Sequence, residues 1–121
     1  MPSAVEVAVD TFTRAWSEPD AALREKMIEE CFAEDGRMVM RTREVRGRAA
    51  LAAEMAKVQA DPQLLRIRLV SVVDARGNTF RYRAVADRRD GSSPETFDAG
   101  EIDASGRICL VLTFTGVLQS V

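Results

Sequence analysis

The feature that most constrains this chain is the succession of short strand-like segments and tight turns that fills its second half. Between Leu64 and Leu118, stretches rich in β-branched and aromatic residues are separated by Asp74-Ala75-Arg76-Gly77-Asn78, Asp90-Gly91-Ser92-Ser93-Pro94 and Asp103-Ala104-Ser105-Gly106. Turns this short leave no room for a crossover helix, so consecutive strands must pair antiparallel. The pattern predicts strands over Leu64–Val73, Thr79–Asp87, Thr96–Ile102 and Arg107–Leu118. The second of these alternates sharply. Phe80, Tyr82, Ala84 and Ala86 share one face, and Arg81, Arg83 and Val85 share the other.

The first half has the helical period instead. Ser3-Ala4-Val5-Glu6 fits a capping box, and Val5, Ala8, Val9, Phe12, Ala15 and Trp16 fall on one face behind it. Pro19 breaks this helix and Asp20 is placed to cap a second. The second helix's expected face is Leu23, Met27, Ile28 and Cys31, continued by Phe32 until Ala33-Glu34-Asp35-Gly36, where Gly36 suits a left-handed stop. Met38 to Met40 reads as a short strand with Glu44-Val45-Arg46 as its hairpin partner. A third helix follows Gly47, with Leu51, Met55 and Val58 as its apolar face and Asp61-Pro62 as its end. Helices first and hairpin-linked strands after define an α+β fold, with about five or six antiparallel strands wrapped around three helices. At 121 residues the whole of 1–121 is expected to be a single domain.

Composition narrows the chemistry. There is no histidine. That removes Ser-His-Asp and Cys-His mechanisms, His-based metal sites and the usual base for neutral pH. No phosphate loop, dinucleotide fingerprint, calcium loop or zinc motif is present, so neither metal nor cofactor is expected. A net charge of −2 lacks the basic excess of a nucleic-acid binder. The local run Arg41, Arg43, Arg46, Arg48 reads as a solvated edge hairpin. No apolar stretch approaches the roughly 20 residues of a bilayer span, so no membrane partner is expected. The opening Met1-Pro2-Ser3-Ala4-Val5-Glu6 has no basic region followed by an apolar one, which points to the cytoplasm. Cys31 and Cys109 read as reduced core residues.

Four segments carry a family resemblance: Phe12-Thr13-Arg14-Ala15-Trp16, Phe32-Ala33-Glu34-Asp35-Gly36, Val45-Arg46-Gly47-Arg48-Ala49-Ala50-Leu51 and Ile102-Asp103-Ala104-Ser105-Gly106-Arg107-Ile108. In order and spacing, over about Val5 to Gly116, the chain resembles the SnoaL-like branch of the nuclear transport factor 2-like superfamily. The resemblance implies a cone-shaped α+β barrel with an internal pocket, usually a homodimer. That superfamily holds ketosteroid isomerases, polyketide cyclases, dehydratases, epoxide hydrolases and non-enzymatic domains, so the fold alone assigns no function. Ketosteroid isomerases use an Asp base with an oxyanion site of Tyr and protonated Asp. Carried onto this sequence, the base falls on Met40, the Tyr on Phe12 and the second donor on Asp98. One of three positions is filled. Isomerase activity is therefore not expected, and cyclase chemistry, which needs an acid or histidine in the pocket, is in doubt for the same reason.

The candidate site follows. Asp98 is the candidate catalytic residue, either as a buried acid that donates to a ligand oxygen or as a carboxylate paired with Arg81 or Arg83. Phe12, Trp16, Met38, Met40, Met55, Tyr82, Val111 and Thr113 are the expected pocket wall, with core packing as the competing reading for the aromatics and methionines. Arg81 and Arg83 face either a ligand or solvent. On the last strand, Ile108, Leu110, Leu112 and Phe114 are set on one face and Cys109, Val111, Thr113 and Thr115 on the other. Two non-polar faces predict a homodimer through the sheet. Two functions remain: a binding module for a small, mostly apolar ligand, or an isomerase, cyclase or dehydratase with a rebuilt site around Asp98. A structural dimer with a filled pocket is a third.

Overall fold

The computed structural model describes residues 1–121. Helix α1 (Ala4–Ala15) starts at the expected capping box, with Ser3 and Glu6 each accepting from the other's backbone N–H. Helix α2 (Ala21–Cys31) is capped by Asp20, whose carboxylate accepts from the N–H groups of Ala22 and Leu23. Strands β1 (Phe32–Val39) and β2 (Glu44–Arg46) form the hairpin, and α3 (Arg48–Gln59) follows. The remaining elements are β3 (Leu64–Leu69), β4 (Asp74–Arg76), β5 (Thr79–Arg88), β6 (Glu95–Ile102) and β7 (Ile108–Thr115). The sheet runs β2-β1-β7-β6-β5-β3, with β4 also paired to β5. It is curved and unclosed, and one hydrophobic cluster lies between its inner face and the helices.

The architecture is the α+β fold read from the sequence, with seven strands once two three-residue strands are counted. All pairs are antiparallel except β1–β7, which is parallel. That pair joins strands far apart in sequence, so no turn length constrained its direction.

Four local expectations are corrected. Helix α2 ends at Cys31, and Phe32 opens β1 rather than extending the helix. Gly36 lies within β1 and is not left-handed. A Cβ there would sit 2.7 Å from the Phe32 ring, so the glycine is needed for close approach. Leu23 is exposed while Arg24 is buried, its Nη1 donating to the Glu18 carbonyl at 2.7 Å. The segment Asp74–Asn78 is not all turn. β4 occupies Asp74–Arg76, and a two-residue turn at Gly77-Asn78 returns the chain, with Gly77 at φ 61° as a tight hairpin requires.

The last strand departs most from simple alternation. Its register with β6 shifts so that Ile102 faces Ile108 while Glu101 faces Leu110. Cys109 is the extra residue of this bulge. Ile108 therefore turns into the core beside Val111, and Leu110, Leu112 and Phe114 remain outside.

Candidate functional site

Three neighbouring strands bring three polar side chains into one row. Tyr82 on β5 is in register with Asp98 on β6, and Asp98 with Thr113 on β7. Period-two alternation turns all three toward the helices. Tyr82 is 2% and Asp98 6% exposed. The Tyr82 hydroxyl donates to Asp98 Oδ2 at 2.6 Å. Asp98 Oδ1 and Thr113 Oγ1 are buried without a hydrogen-bond partner. The Thr113 hydroxyl is close enough to favour the ionised carboxyl slightly, but it makes no hydrogen bond of good geometry. Burial is the largest influence on Asp98 and raises its pKa above the usual carboxylate range. Burial, with the carboxyl alongside, pushes the Tyr82 phenol well up.

The expectation that Asp98 pairs with an arginine is overturned. Arg81 and Arg83 point outward, where Arg81 meets Asp74 at 2.7 Å and Arg83 meets Glu95 at 3.3 Å. Strand alternation forces this, because inward neighbours Tyr82 and Ala84 leave the arginines only the outer face.

The row closes one end of a cavity of about 140 Å³. Trp16, Met38, Val58, Ile67 and Ala84 make its apolar wall, and Thr13 and Thr96 complete the lining. Two side chains fix the wall. Ser17 Oγ accepts from the Ile67 N–H and donates to the Ile67 carbonyl, both at 2.9 Å, locking the end of α1 to β3. Gln59 Nε2 donates to the Trp16 carbonyl, tying the end of α3 to the same point. The Thr13 hydroxyl is already engaged with the Val9 carbonyl at 2.9 Å.

Of the residues expected to line a pocket, Trp16, Met38, Tyr82, Thr113 and Asp98 do so. Phe12, Met55 and Val111 are core instead, each 1% exposed or less. Phe12 stacks on Phe32 at 6.3 Å between ring centroids and meets Trp16 edge-on at 6.1 Å. Met40 lies just past β1, partly buried against the core. Thr96 and Ala84 were missed, although each is two residues from a predicted wall residue on its own strand. Val58 and Ile67 come from α3 and β3, and no local pattern shows that these elements converge.

Asp98 is the only carboxyl on the cavity. Glu101 accepts from the Cys109 thiol through its backbone carbonyl, and Asp103 is occupied in its turn by Ser105 and Arg107. Burial pushes the Cys31 thiol up to about 12, so it is an inert neighbour. No group of three or more Cys, Asp or Glu side chains converges as a metal site would require. Two larger hollows are open to solvent. One of about 730 Å³ lies between α1, α2 and β3 with charged walls, and one of about 400 Å³ lies on the outer face of the sheet. Neither contains a buried polar atom without a partner.

A curved, unclosed sheet around three helices, with a cavity between them, defines the cystatin-like class of α+β domains. No protein-family model and no curated protein matches the chain. Solved structures do. A candidate isomerase of the SnoaL-like family from Agrobacterium tumefaciens is similar at 25% identity and TM-score 0.83, over 95% of this chain and 100% of that one. A cystatin-like protein of unknown function from Methylobium petroleophilum aligns at 22% identity and TM-score 0.77, over 97% and 78%. A nuclear transport factor 2-like protein of unknown function from Cytophaga hutchinsonii aligns at 12% identity and TM-score 0.69, over 96% and 93%. The chain shares the fold of the SnoaL-like and nuclear transport factor 2-like proteins.

Proposed function

We propose that this protein binds a small, mostly apolar molecule in the cavity, anchored at the Tyr82–Asp98 end, without the proton-shuttling base of an isomerase. The observation that carries this reading is the unpartnered Asp98 Oδ1. A buried polar atom left unpaired costs about 1–3 kcal/mol, and a ligand that pairs it recovers that cost on binding. The wall opposite supplies no second carboxyl, since β1 presents Met38 to the cavity and Met40 beyond it. A thioether cannot take a proton from carbon, and a positioned base contributes about 10² to 10⁴-fold to such a step.

The second reading is an enzyme that uses Asp98 in a rebuilt site. It is favoured by the raised Asp98 pKa and by the name of the Agrobacterium relative. A spectrophotometric assay with a β,γ-unsaturated steroid separates the two. The expected result is no turnover. Robust turnover that vanishes in Asp98→Asn would reverse the order of the readings.

The protein is also proposed to work as a homodimer through the outer sheet face. Phe97 and Phe114 are cross-strand neighbours there, 36% and 57% exposed. Further along the same face lies the 400 Å³ hollow, floored by Ala99, Gly100, Leu110 and Leu112 and rimmed by Asp74, Arg76, Arg81 and Glu101. A two-fold axis between knob and hollow would seat each copy's phenylalanines on the other's leucines.

A further inference from the structure

We infer that the group held at the polar end of the cavity is a hydroxyl bridging Asp98 Oδ1 and Thr113 Oγ1, which makes small apolar alcohols the ligand class. This deepens the reading of the cavity as a ligand site and rests on it. Tyr82 already fills Asp98 Oδ2. What remain are two buried atoms without partners, on residues that face each other across β6 and β7 and both line the cavity. No cation reaches them, because Arg81 and Arg83 are engaged on the opposite face of the sheet.

A hydroxyl carries one donor and two acceptor lone pairs. It can donate to an ionised Oδ1 while accepting from Thr113. It can equally accept from a protonated Oδ1 while donating to Thr113. Either ionisation state of Asp98 is thus served by one oxygen. A carbonyl only accepts, so Oδ1 holds it only while the carboxyl carries its proton. A hydrocarbon leaves both atoms unpaired. The volume sets the rest of the molecule. About 140 Å³ is well below the roughly 300–1,000 Å³ of drug-sized pockets, so a single small ring or a short branched chain fills it. Thr113 is then a specificity-determining residue, and Tyr82 positions the carboxyl.

The test uses Trp16, the only tryptophan and part of the wall, as a fluorescent reporter. Cyclohexanol, cyclohexanone and methylcyclohexane are titrated into the wild type, Thr113→Val and Thr113→Ser, at mildly acidic and mildly alkaline pH. Cyclohexanol should bind about tenfold tighter than methylcyclohexane at both pH values. Thr113→Val leaves only the bond to Oδ1 and should shrink that preference several-fold, and Thr113→Ser should keep it in full. Equal affinity of the wild type for the alcohol and the hydrocarbon, or a preference that Thr113→Val leaves undiminished, overturns the hydroxyl bridge and leaves the ligand site standing. A ketone preferred at acidic pH and released as pH rises does the same. Binding of none of the three overturns the ligand site itself, and the bridge with it.

Discussion

At the scale of single residues, Asp98 ties the proposed ligand site to the pH dependence of stability. Burial raises its pKa, so the folded state holds this proton more tightly than the unfolded chain does. The stabilisation from that proton is complete below the ordinary carboxylate range. It is lost as pH rises through the raised folded value. Asparagine cannot ionise and still accepts from Tyr82. Asp98→Asn should therefore gain on the wild type as pH rises, seen as a growing difference in urea midpoint between about pH 4 and pH 8. A constant difference would mean that Asp98 does not change protonation between the states in that window. The family resemblance pointed to Asp98, and alternation and helical period pointed to Tyr82 and Trp16, because they fix which way a side chain leaves its element. Neither showed that Tyr82, rather than an arginine, would be the partner of Asp98. That depends on cross-strand register, which a single strand does not encode.

At the scale of elements, the helix N-caps and the Gly77 turn were legible, and the irregular strands and the Gly36 position were not. Ser3, Asp20 and Gly77 act through neighbours within a few residues, so their roles are written locally. The bulge at Cys109 is not, since it needs the opposing strand to define it. The same is true of Gly100 on β6. A Cβ there would fall 2.0 Å from the Leu110 carbonyl oxygen and 2.8 Å from the Phe80 ring. The oxygen belongs to the backbone of β7 and cannot swing aside. Gly100→Ala should cost about 3 kcal/mol, the upper end of overpacking penalties, read as a fall in denaturation midpoint. A change within about 0.5 kcal/mol would show that β6 and β7 can separate locally.

At the scale of the whole molecule, the outer sheet face makes the sharpest demand. Phe114 is more than half exposed, yet it continues a row with Leu110 and Leu112. Light scattering at micromolar concentration should give the mass of a dimer. Phe114→Asp should give a monomer whose Trp16 fluorescence is unchanged, since the substitution lies on the other side of the sheet from the cavity. A wild-type monomer would remove the dimer proposal.

The parallel pairing of β1 with β7 also sets an order of assembly. β7 lies between β1 and β6, so it alone connects the β1–β2 hairpin to the meander of β3 to β6. During synthesis those two pieces exist before the strand that unites them. Phe32 waits for Ile108, its register partner, while the ribosome adds the intervening residues at about 5–20 per second, a delay of about 4 to 15 s. Throughout that interval the inner faces of both pieces lack their neighbour, and Thr113 has not yet arrived beside Asp98. The cavity is thus among the last features the nascent chain acquires.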